Sequence, residues 1–136
     1  MIWLVGKNGM LGSEVVELFA AAGLEYCASD IEVDITDNTA IDQFVRGKQI
    51  DWIVNCAAYT ADDDAEDNVE TAEKLNVTGP RNLADAAHAL GARIIHISTD
   101  YVFGSVGEEL DPLRPINETD PTGPASEYGR TKLQGE

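Results

Sequence analysis

A four-residue apolar run, IWLV at residues 2–5, breaks directly into GKNGMLG and then into an amphipathic stretch. A continuously apolar segment this short is what a strand buried on both faces requires. Gly6, Gly9 and Gly12 fall in the turn that follows. Glycines there permit a tight turn and let the backbone approach a pyrophosphate, while the next helix offers amide donors and the positive end of its dipole. The spacing is G-x-x-G-x-x-G, not the G-x-G-x-x-G of the dehydrogenase fingerprint. The reading as a dinucleotide site therefore rests on the strand before it and the helix after it. A tight turn without a ligand is the alternative.

The remaining chain repeats this strand–helix grammar. Leu11, Val15, Leu18, Phe19 and Ala22 recur at helical spacing up to a stop at Gly23. LEYCAS reads as a second strand ending at Asp30, and IEVDIT as a short third one. A helix from Asn38 turns Ile41, Phe44 and Val45 inward and closes at Gly47. DWIVNCAA is another buried strand. A helix covers the acidic stretch to about Asn76, a further one runs from Pro80 to Leu90 before Gly91, and ARIIHIS is the next strand. Residues 104–126 lack periodicity, and a last helix starts near Ser126 and still runs at Glu136. Alternation of this kind predicts an α/β fold, a Rossmann-like doubly wound parallel sheet with helices on both faces. The expectation is one dinucleotide-binding domain over residues 1–136, cut before any substrate domain.

Charge narrows the functions available. Nine basic residues face 25 acidic ones, a formal net charge of -16. No basic patch exists to neutralise phosphates, which argues against nucleic acid and against an anionic membrane surface. Two cysteines, Cys27 and Cys56, are too few for a disulfide framework and point to a reducing cytoplasm. MIWLV is too short for a signal-peptide core, and no apolar run approaches the roughly 20 residues of a membrane span.

Candidate chemistry sits at the strand ends. Asp30 follows Gly12 by eighteen residues, where a carboxylate accepts hydrogen bonds from an adenosine ribose and repels a 2′-phosphate. No arginine follows it closely, so the residues lean toward NADH over NADPH; Asp34 is a weaker companion. STDYVFG brings Ser98, Thr99 and Asp100 out at the carboxyl end of the last strand, the edge at which open α/β sheets bind ligands. Tyr128 and Lys132, four apart, share one helix face. When hydride adds to a ketone, oxygen gains alkoxide character and a phenol in reach can donate the proton. A free tyrosine has a pKa of about 10, and a neighbouring ammonium favours the phenolate. His96, within a strand, reads as a packed residue, and His88 as a helix-surface one. Asp62 and Asp64 read as first-turn carboxylates favoured by the helix dipole, not as a metal site.

Taken together, GKNGMLG, Asp30, NCAAYT, NVTGPRNL, STDYVFG and YGRTKLQGE resemble the extended short-chain dehydrogenase/reductase family over all 136 residues. The resemblance implies reduction of the 4-ketone of dTDP-6-deoxy-L-lyxo-4-hexulose by NADH or NADPH. It implies Tyr128 as proton donor, Lys132 as its helper and Thr99 as the hydroxyl that polarises the ketone. Thr99 and Asp100 would touch the sugar; Gly6, Gly9, Met10, Leu11 and Gly12 would meet the pyrophosphate. Asp30, Asp34 and Ile35 would surround the adenosine, with Ala57, Ala58, Tyr59, Thr60 and Ile97 along the nicotinamide side beside Tyr128 and Lys132. Nucleotide-sugar 4,6-dehydratases of the family read Thr-Asp-Glu after the strand; Tyr101 stands in place of that glutamate, which favours a reductase. The same resemblance implies a smaller C-terminal domain for the dTDP-sugar, a homodimeric whole protein, and for this stretch cofactor binding without turnover. Other family activities (epimerase, dehydratase) and a non-catalytic dinucleotide-binding regulatory subunit, like that of methionine adenosyltransferase, are the alternatives.

Overall fold

The computed structural model describes residues 1–104 and 114–136. Four parallel strands, β1 (Ile2–Val5), β2 (Tyr26–Ser29), β3 (Trp52–Asn55) and β4 (Arg93–His96), form one sheet in the order β2-β1-β3-β4. Helix α1 (Met10–Ala21) links β1 to β2, and α2 (Asn38–Val45) lies on the return past β1 to β3. Successive right-handed crossovers in opposite directions put α1 on one face of the sheet and the later helices on the other. On that second face Trp3, Val5 and Ile53 pack with Ile41 and Val45 of α2 and with Leu83 and Ala87 of a later helix, α5 (Gly79–Leu90).

The register decides where the site falls. Val5 pairs with Ser29 and with Asn55, and Asn55 pairs with His96. All four strands therefore end level. Gly6, Asp30, Cys56 and Ile97, the residues next in chain, emerge together at one edge. The direction of winding reverses between β1 and β3, which opens a crevice there.

Two expectations need correction. The segment IEVDIT is not a strand. Asp34 takes the backbone amide and the hydroxyl of Thr36 at 2.8 Å each, Val33 N–H donates to the Asp30 carbonyl, and Asn82 donates to the carbonyl of Ile35 at 3.0 Å. Local aspartate turns and a buried amide thus consume the groups a ladder would need. Val33 and Ile35 still enter the core, but from turns. The helices on either side of Asn76 are likewise not separate. After α3 (Asp62–Asp67), helical backbone runs from α4 (Val69–Glu73) through a π turn, Lys74–Thr78, into α5. Pro80 has no N–H to give to the Asn76 carbonyl four residues back. The widened turn accommodates that loss without a break.

Past β4 come a 3₁₀ turn, Asp100–Val102, and the last helix, α6 (Glu127–Gln134). Of the loop expected at residues 104–126, residues 105–113 lie outside the described residues; residues 115–117 and 121–125 have no regular structure. Among the described residues no helix is long and apolar enough to cross a membrane.

Candidate active site

The crevice at the level strand ends is a cleft of about 520 Å³. Its floor comes from the glycine turn. Gly6 has φ +83°, and a Cβ on it would lie 2.7 Å from the Ala57 nitrogen. A Cβ on Gly12 would lie 1.9 Å from the Gly6 carbonyl oxygen. Only glycine lets the turn fold this tightly against β3 and α1. Gly9 caps α1 with no side-chain hydrogen bond, and the first turn carries no acidic residue. The leading amides of a twelve-residue helix are thus left for an anion.

The expected residues gather closely. Gly6, Gly9, Met10 and Leu11 line one wall, and Asp30, Asp34 and Ile35 another. Ala57, Ala58, Thr60 and Ile97 line the far side, with Tyr128 and Lys132 beside them. Gly12 sits beneath the turn. Tyr59, Thr99 and Asp100 are not lining residues. The Thr99 hydroxyl accepts from Tyr101 N–H at 3.3 Å and starts the 3₁₀ turn, so Ser98, not Thr99, faces the cleft. Val5, Ile31, Val33, Cys56 and Leu75 also line it and carried no signal in the sequence as site residues.

Lys132 is 2% exposed, and its ammonium donates to the Ile97 carbonyl at 2.6 Å. Burial lowers its pKa, partly offset by the charge of Glu136. Two of its three N–H donors remain for a ligand or a neighbour. The Tyr128 ring meets Tyr101 edge-on, centroids 5.7 Å apart. Helix α6 is fastened from several directions. Ser126 caps Gly129 N–H, Glu66 of α3 accepts from Glu127 N–H at 2.8 Å, and Arg130 bridges Glu127 and Glu73 of α4.

Sequence reasoning missed Asn76. It is 1% exposed, in the π turn, and its amide accepts from Tyr59 N–H at 2.8 Å. The same amide donates at 3.1 Å to the Tyr59 carbonyl and to the Thr131 hydroxyl, which itself donates to the Tyr128 carbonyl. One side chain therefore ties the loop after β3 to the helix turn between Tyr128 and Lys132. Pro80 within a helical pattern was the available clue to the unusual backbone at Asn76.

Under the floor, Asn55 accepts from Ala57 N–H at 3.0 Å and lies 3.0 Å from His96 Nδ1. Because the Asn55 amide nitrogen is a donor, His96 Nδ1 accepts and its proton sits on Nε2. Burial, then the charge of Lys132, hold the His96 pKa at about 4. His96 is accordingly a packed, neutral residue, and His88 is exposed on α5. Burial raises the pKa of the Cys27 and Cys56 thiols. Among the described residues no group of three or more His, Cys, Asp or Glu side chains could hold a metal ion. Asp64 instead accepts from the Tyr59 hydroxyl at 3.5 Å.

Fold and cleft together define an α/β protein with a Rossmann-like sheet, of the short-chain dehydrogenase/reductase type. More narrowly, the chain belongs to the family described as RmlD substrate binding domain, whose model matches residues 1–136. It is 45% identical, over 136 residues, to the dTDP-4-dehydrorhamnose reductase of Mycolicibacterium smegmatis, covering 99% of this chain and 40% of that protein. The crystal structure of a dTDP-4-dehydrorhamnose reductase from Clostridium acetobutylicum superimposes with a TM-score of 0.90 at 41% identity, covering 98% of this chain and 46% of that one. The Bacillus anthracis dTDP-4-dehydrorhamnose reductase in complex with NADP superimposes with a TM-score of 0.86 at 33% identity, covering the same shares. The chain thus spans less than half the length of each of these relatives.

Proposed function

We propose that the whole protein reduces the 4-ketone of dTDP-6-deoxy-L-lyxo-4-hexulose to give dTDP-L-rhamnose, using NADH or NADPH, and that residues 1–136 form its cofactor half. One observation carries this reading. A single cleft joins the uncapped amides of α1 to Tyr128 and Lys132, the pair suited to protonating an alkoxide. The residues fit a dinucleotide. The glycine turn has no room for a Cβ, the Asp30 carboxylate faces the cleft, and Lys132 keeps donors free.

When bound, the reduced nicotinamide supplies the hydride. The Tyr128 phenol gives its proton to the oxygen of the reacting carbonyl. Lys132 stabilises the resulting phenolate until water reprotonates it, and its buried ammonium acts with little screening. Ser98, which lines the cleft just past β4, is the hydroxyl suited to polarise the ketone; the role expected of Thr99 requires its hydroxyl to leave the 3₁₀ turn it caps, and Asp100, outside the lining, is assigned to the sugar. The acidic surface of this half suits an anionic dTDP-sugar poorly, so a C-terminal substrate domain supplies its basic contacts. We assign the protein to the cytoplasm, as a homodimer.

The test is Tyr128→Phe in the full protein, assayed with the dTDP-ketosugar. A general acid is worth about 100- to 10,000-fold in rate. The variant should lose turnover by that factor and keep its NADH affinity. Retention of half the wild-type kcat, or no turnover of the ketosugar by the wild type, overturns the proposal.

A further inference from the structure

Just outside the lining of the cleft, next to Asp30 at its adenosine end, lies a charged clasp. Asp30 there is not a free carboxylate. Its Oδ2 accepts from Asn8 N–H at 2.8 Å and its Oδ1 from Ile31 N–H at 2.9 Å, so it knits the glycine turn to the end of β2. Lys7 N–H and Gly6 N–H both donate to the Ser29 carbonyl, drawing the turn onto β2. This geometry carries the Lys7 side chain over to the same end, where its ammonium pairs with Glu32. Lys7 is the one cation in GKNGMLG, and Glu32 stands two residues past Asp30. Both side chains are partly open to solvent, 33% and 51% exposed.

We propose that the Lys7–Glu32 pair is the determinant of discrimination between NADH and NADPH, with Glu32 as the residue that withholds the cation. This deepens the cofactor reading above and rests on it. A 2′-phosphate at the Asp30 end would meet one fixed carboxylate, one neutralised lysine and the glutamate that neutralises it. The balance there is unfavourable to the phosphate and leaves a ribose hydroxyl untouched. An exposed ion pair contributes little, so Lys7 can exchange Glu32 for a phosphate at small cost. The arrangement therefore biases the site toward NADH and still admits NADPH. Glu32 is engaged rather than idle: its hydrogen bond from Lys7 holds its carboxyl below the usual range.

The experiment measures dissociation constants of both dinucleotides by nicotinamide fluorescence with the full protein, its Glu32→Gln and Lys7→Gln variants and the double variant. One charge contact at a partly solvated distance corresponds to about tenfold in affinity. Glu32→Gln should raise the NADPH:NADH affinity ratio by about that factor, and Lys7→Gln should lower it without changing NADH binding. In the Lys7→Gln background the Glu32 substitution should move the ratio by no more than about threefold, because the released cation is gone. A Glu32→Gln ratio within about twofold of wild type, or an equal effect in both backgrounds, overturns the inference while leaving the cofactor reading intact. Failure of the wild type to bind either dinucleotide overturns both.

Discussion

Replacing Asn76 with alanine tests whether the proposed catalytic helix is held in place by one buried amide. In the folded protein this side chain satisfies both backbone groups of Tyr59 and one acceptor site on Thr131. Alanine leaves the Tyr59 N–H and C=O without this partner in a part-buried region. A fully buried orphaned group costs roughly 1–3 kcal/mol, so two part-buried ones cost at most about 2–6 kcal/mol. A domain has only about 5–15 kcal/mol in total, so the loss is large but survivable.

The kinetic consequence is separate from the loss of stability. Thr131 lies between Tyr128 and Lys132 and donates to the Tyr128 carbonyl. Without the amide, the loop bearing Tyr59 and the first turns of α6 lose their shared anchor. A misplacement of about 1 Å costs about 100-fold in rate. The expected outcome for Asn76→Ala in the full protein is a kcat lower by about that factor, measured well below its melting temperature. Asn82→Ala provides the matched control. Asn82 is also buried, at 6% exposure, and its amide donates to the Ile35 carbonyl, away from α6. It should be destabilised by about 1–3 kcal/mol yet keep kcat at saturating cofactor. A folded Asn76→Ala that keeps more than about a third of wild-type kcat, or an Asn82 variant that loses as much, refutes Asn76 as the anchor of α6.

Three further outcomes follow from the same geometry. Gly12→Ala should abolish NADH binding, since its Cβ would sit 1.9 Å from the Gly6 carbonyl oxygen; Gly23→Ala, with nothing within 4 Å of its Cβ but a φ of +63°, should lose roughly 1–2 kcal/mol of stability and leave NADH titrations unchanged. Asp30→Ala should raise the NADPH:NADH kcat/KM ratio and also weaken NADH several-fold, because Asn8 and Ile31 lose their acceptor; an unchanged ratio would mean that Asp30 does not face the ribose. His96, at about 4 in the fold against 6.5 for an unperturbed histidine, contributes stability that is present above pH 6.5 and lost as pH falls through 4. That contribution is on the order of 2–3 kcal/mol. Urea denaturation should therefore show His96→Gln losing less stability on acidification than wild type, and parallel curves would count against a buried neutral imidazole.

The sequence disclosed the strands that end at the site because each is a short apolar run stopped by a residue with its own signature: Gly6, Asp30, the Ala57–Ala58 pair, Ser98. It did not disclose that the four runs end level, since register is a property of pairing and leaves no mark on any one strand. Alternation misled at IEVDIT. Val33 and Ile35 are buried as a strand would bury them, but aspartate side chains and Asn82 had claimed the backbone. Pro80 misled for a related reason. A proline in helical text reads as a start, whereas a π turn let the helix continue through it. Asn76 was illegible because its partners stand 17 and 55 residues away, and nothing local distinguishes a buried clamp from a surface asparagine.

The charge of the chain looks at odds with an anionic cofactor until the acids are located. Asp64, Glu66, Glu70 and Glu73 lie on α3 and α4, and each has a partner. Glu66 meets the first amide of α6, Glu73 meets Arg130 of α6, Glu70 meets Lys74, and Asp64 meets the Tyr59 hydroxyl. Two of those four contacts hold the helix that bears Tyr128 and Lys132. The glycine turn offers a bound anion backbone amides and a helix dipole, neither of which enters a count of ionisable residues. At distances beyond about 8–10 Å salt screens the surface acids from the cleft, whereas contacts inside it are screened much less. Net charge therefore constrains which surfaces this chain can meet, and says little about what its cleft can hold.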